Sequence, residues 1–83
     1  MNTQSKLKIL GGINAGFGHR FTSAFITNVK GADPDKLTDK QLLWLDKILF
    51  RYRRQYVNKT FKALLNSDEK SFIAYLNNNA KDV

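Results

Sequence analysis

The sequence predicts a small all-α domain, a bundle of three to four helices with a glycine-rich N-terminal arm. Three observations carry this. Leu42, Leu45, Leu49, Tyr52 and Tyr56 recur at alternating steps of three and four, which places them on one helical face. Thr38 is followed three residues on by Gln41, the pattern of a capping box, with Leu37 and Leu42 in the hydrophobic-staple positions around it. Gly11, Gly12, Gly16 and Gly18 crowd into one short stretch, where each glycine disfavours a helix interior by ~1 kcal/mol relative to Ala.

The elements follow in chain order. Residues 1–16 read as an arm and loop, with room for one short helix or strand over 5–10. Phe17, Phe21, Phe25 and Val29 stand at steps of four and predict a helix over 17–30, with Ala24 adding to its face and Gly31 as a C-cap candidate. Pro34 turns Asp33 away from helical geometry, so a loop follows. Thr38 then opens the main helix, expected over 39–56, with Asp39 in its first turn complementing the macrodipole. Val57, Phe61 and Leu64 lie round from the apolar stripe, so the helix is expected to continue with a kink or break at 56–59. Ser67 is the expected N-cap of a last helix, 68–78, carrying Phe72, Ile73, Tyr75 and Leu76. Residues 17–78 thus form the helical domain and 79–83 a polar tail.

Composition bounds the function. The chain has 83 residues, enough for one domain and too few for a two-domain enzyme. It has no cysteine and one histidine, which excludes disulfides, thiolate chemistry and a multi-histidine metal site within one chain. No apolar run approaches the ~18 residues of a membrane span, and the stretch Leu7 to Leu10, interrupted by Lys8, is too short for a secretory signal. The chain therefore reads as cytoplasmic, with no membrane partner.

Motifs for catalysis or cofactors fail on spacing. Gly11 and Gly16 have the gap of a phosphate-binding loop, but Phe17 and Gly18 stand where Lys and Ser or Thr belong. Phe21 occupies the place of the third glycine in a dinucleotide fingerprint begun at Gly16. A calcium loop begun at Asp33 needs Gly at 38 and Glu at 44, where Thr38 and Trp44 stand, so Asp33, Asp35 and Asp39 read as a turn and a helix cap. His19 has no carboxylate before Asp33 and reads as a surface residue at a helix start. The expectation is a protein that is not an enzyme, with no cofactor and no metal.

The basic cluster is the strongest signal. The formal charge is +7, and between Lys47 and Lys62 the chain places Lys47, Arg51, Arg53, Arg54, Lys59 and Lys62 with no acid among them. Lys47, Arg51 and Arg54 fall at i, i+4 and i+7, one face of a continuous helix, which Lys62 extends. A solvated face usually mixes Glu with Lys, and here only Asp46 is at hand. These six cations and Arg20 are the candidate nucleic-acid contacts, with Lys6 and Lys8 secondary. Trp44 and Phe50 flank the face as candidate partner-binding aromatics, Trp44 also being placed to pack on the phenylalanine face of the preceding helix or on the last helix.

Phe21-Thr22-Ser23-Ala24-Phe25, Leu37-Thr38-Asp39-Lys40-Gln41, Trp44-Leu45-Asp46-Lys47-Ile48 and Arg51-Tyr52 together resemble a helical segment of small bacteriophage and mobile-element proteins linked to DNA replication or repair. The resemblance spans 21–54 and assigns no site residue. It implies a phage-encoded accessory protein acting around nucleic acid. The expected function is therefore a basic accessory protein that binds nucleic acid or a nucleoprotein complex. The alternatives are an antidefence (anti-CRISPR-like) inhibitor that binds protein, and a structural subunit that forms a homo-oligomer through Tyr52, Tyr56 and the last helix.

Overall fold

The computed structural model describes residues 2–16 and 18–78; the parts of the expectations that rest on Phe17 and on the tail 79–83 lie outside the described residues. The described residues form helices and turns, with no strand among them. Its α-helices are α1 (Thr3–Gly11), α2 (Arg20–Val29), α3 (Asp39–Arg51), α4 (Lys62–Leu65, a single turn) and α5 (Glu69–Asn78), with 3-10 turns at Pro34–Lys36 and Arg53–Gln55.

Helix α3 is the central element, with α1 and α5 packed on it and α2 packed on α1. It begins where the sequence places it. The Gln41 amide donates to Thr38 Oγ1 (3.1 Å) and the Thr38 amide donates to Gln41 Oε1 (2.9 Å), completing the capping box. The buried face of α3 is Leu45, Ile48 and Leu49, which meets Leu7 and Leu10 of α1, Ile26 and Val29 of α2, and Phe72 and Leu76 of α5 in one core. No described helix is long and apolar enough to cross a membrane.

Four expectations need correction. First, the short helix allowed over 5–10 is present and longer, as α1, and residues 2–16 pack on the domain rather than standing outside it as an arm. Asn2 caps α1 by accepting from the Ser5 amide (2.8 Å), and Leu7, Leu10, Ile13 and Ala15 are buried. The glycine segment that follows is pinned: the Gln55 side-chain amide donates to Asn14 O (2.7 Å) and its carbonyl accepts from the Asn14 amide (2.9 Å). Gly16 and Gly18 adopt φ of 80° and 87°, the left-handed backbone that only glycine enters without strain, and this turns the chain into α2.

Second, the buried face of α2 is Thr22, Ile26 and Val29. Of the expected row, Val29 is buried and Phe25 half-buried against the core, whereas Phe21 is 61% exposed. The buried face is turned round the helix from the expected one, toward α1.

Third, α3 stops at Arg51 rather than running to 56. The last regular bond runs from Tyr52 N–H to Ile48 O (3.0 Å). The next two carbonyls accept from side chains, Leu49 O from the Tyr56 hydroxyl (2.6 Å) and Phe50 O from Arg53 Nη1 (3.0 Å). Two side chains just past the helix thus satisfy carbonyls that a continuing helix reserves for backbone amides. Fourth, the cap of α5 is Asp68, not Ser67: Asp68 Oδ1 accepts from the Ser71 amide (2.7 Å), while the Ser67 hydroxyl donates back to Leu64 O (2.7 Å).

Candidate nucleic-acid interface

The end of α3 decides where the cations go. With the helix broken after Arg51, Lys47 and Arg51 remain on α3, Arg54 sits on the following 3-10 turn, Lys59 on the turn beyond it and Lys62 at the first residue of α4. The single continuous face expected through Arg54 and Lys62 is therefore divided.

What the fold builds instead is a cleft. A concavity of about 650 Å³ opens between the start of α2 and the last two turns of α3. Arg20 comes from α2, Lys47 and Arg51 from α3, and Arg53 from the turn after it, against one carboxylate, Glu69. Arg20, Lys47 and Arg51 are exposed. Helix α2 begins here with His19 at its N-cap and no side-chain hydrogen bond capping it, so the positive end of its dipole adds to the cleft.

Aromatic rings stand among these charges. Phe21 meets Trp44 edge to face, with ring centroids 5.2 Å apart and planes at 61°, and Lys47 Nζ lies 5.3 Å from the centre of the Trp44 ring. His19 meets Tyr52 edge-on at 6.5 Å, and the Arg51 guanidinium lies 6.0 Å from the same tyrosine ring. These contacts hold the rings upright at modest gain per pair. The packing expected between Trp44 and the α2 phenylalanines is present through Phe21.

Three candidate residues are engaged elsewhere. Lys6 is buried: its ammonium donates to Asp46 Oδ1 (2.7 Å) and to Asn77 Oδ1 (2.6 Å), tying α1 to α3 and α5. Arg53 donates through Nε to Leu65 O (2.7 Å) and through Nη1 to Phe50 O, with its guanidinium carbon 4.4 Å from the Phe50 ring centre. Phe50 packs edge-on against the core residue Phe72 at 5.6 Å and forms a cleft wall rather than an exposed anchor. By contrast Lys8, Arg54, Lys59 and Lys62 are exposed outside the cleft.

The tyrosines expected at an oligomer contact also face inward. Tyr52 donates to Ala15 O (3.4 Å), and burial pushes the Tyr56 phenol above its ordinary pKa, keeping it a donor to Leu49 O. The sequence carries a signal for the cleft only in part. Cations and aromatics on α3 are visible as a pattern, but their union with Arg20 and Phe21 of α2 is tertiary and leaves no local pattern. No family model matches the chain, and neither a curated protein nor a solved structure matches it.

Proposed function

We propose that this protein is a non-enzymatic, basic accessory protein of the cytoplasm that binds nucleic acid through the cleft between α2 and α3. A phage or mobile-element origin follows from the segment resemblance alone. One observation carries the binding reading: Arg20, Lys47, Arg51, Arg54, Lys59 and Lys62 are all exposed, and none makes an ion pair among the described residues, whose one ion pair is Lys6–Asp46. Unpaired surface cations repel one another, and a polyanion relieves that repulsion by giving up its condensed counterions. Three of these cations gather at a concavity where rings and charges alternate, a chemistry suited to phosphates and bases together.

The test is a titration of the protein against random-sequence DNA and RNA at several salt concentrations. With roughly three to six phosphate contacts, log K against log[salt] falls with a slope of about −3 to −5. Lys47→Glu with Arg51→Glu reduces the slope by about 2 and weakens binding to all sequences alike, with the melting curve unchanged. Absence of binding to either nucleic acid at low ionic strength overturns the proposal and favours a protein-binding inhibitor.

A further inference from the structure

We infer that the cleft takes an unpaired base with its flanking phosphates, so that the preferred ligand is single-stranded nucleic acid rather than a duplex. This rests on the nucleic-acid reading above and specifies its ligand. The first ground is shape. Arg20, Lys47 and Arg51 line a recess of about 650 Å³. That volume is within the range of about 300–1,000 Å³ typical of sites that engulf a small ligand. The bases of a duplex are paired and stacked, whereas a single strand is free to turn a base into such a concavity and leave its phosphates at the mouth.

The second ground is the state of the rings. Phe21 is 61% exposed at the first turn of α2, an unusual setting for a phenylalanine in a chain with a small core to fill. Its edge contact with Trp44 leaves most of the ring uncovered. An uncovered ring beside cations offers a stacking platform to a base. Lys47, over the Trp44 ring, stands within reach of a phosphate 5′ or 3′ to the stacked base. The shared chemistry is a base-bearing single strand of either sugar.

Trp44 is the only tryptophan in the chain and lies in the cleft, so its fluorescence reports base entry directly. The experiment titrates the intact protein at low salt with four ligands of equal length: oligo-dT, oligo-U, an abasic deoxyribose-phosphate strand and a mixed-sequence duplex. The expected result is saturable quenching by oligo-dT, oligo-U or both, which identifies the sugar accepted. The abasic strand and the duplex bind more weakly and leave the emission unchanged, and the loss of stacking costs the abasic strand about fivefold or more. Phe21→Leu lowers affinity for the base-bearing strand and leaves the abasic strand and the melting curve unchanged. Duplex or abasic strand binding as tightly as oligo-dT and oligo-U, with no quenching by any ligand, overturns the base-in-cleft inference and leaves the charge-driven reading standing. Failure of all four ligands to bind overturns both.

Discussion

At the scale of single residues, Arg53 illustrates how two roles diverge within one basic cluster. Its neighbours Arg51 and Arg54 are exposed, yet its own guanidinium bridges Phe50 O on α3 and Leu65 O at the end of α4. The planar fork reaches both carbonyls at once, which an ammonium cannot imitate. Arg53→Ala is therefore expected to cost about 2 kcal/mol of stability, and Arg53→Lys to recover little of it. Urea denaturation checks this, with Arg51→Ala as the control expected to stay within about 0.5 kcal/mol of the parent. Equal stability for the two alanine variants would show that the bridge contributes nothing.

At the scale of elements, helix ends govern both architecture and pH response. Asp68 opens α5, and its carboxylate is held below the usual range near pH 4 by the Ser71 amide first and the Ser71 hydroxyl second. A carboxylate whose folded pKa is depressed contributes stability above its unfolded pKa and loses it as pH falls through the folded value. Asp68→Asn keeps a capping acceptor but no longer titrates. The parent's advantage over this variant is accordingly constant above about pH 5 and shrinks below about pH 4. Thermal melts from pH 7 to pH 2 check it, and an advantage unchanged to the lowest pH contradicts it. The start of α3 was legible in the residues because its cap is local: Thr38 and Gln41 lie three positions apart and need no tertiary information. Where two polar residues stand side by side, as Ser67 and Asp68 do, spacing alone did not choose the cap. The stop of α3 was not legible. It depends on Tyr56 and Arg53 folding back onto carbonyls, and Tyr56 fits the three-and-four spacing of the stripe equally well as a core residue. The same limit hid the cleft, since the phenylalanine row of α2 is the more apolar by sequence, yet the face packed on the core carries Thr22 and leaves Phe21 outside.

At the scale of the whole molecule, three helices meet at one buried ammonium. The Lys6 and Asp46 side chains are 9% and 18% exposed, so the pair sits largely out of water, and Asn77 fills a further donor position of Lys6. Lys6→Met strands the Asp46 carboxylate and is expected to cost about 3 kcal/mol, whereas Lys6→Met with Asp46→Leu recovers most of the loss. Denaturant melts of the single and double variants check this, and a double variant no better than the single one contradicts it. The same node has a consequence for biosynthesis. Lys6 and Asn77 are 71 positions apart, and at ~5–20 residues per second a ribosome delivers the second partner about 4–14 s after the first. Until then Leu10, and Leu49 once it is made, lack the cover of Phe72 and Leu76. The node cannot close while the chain has emerged only as far as α3, and until α5 follows the leucines it covers stay open to chaperones and proteases.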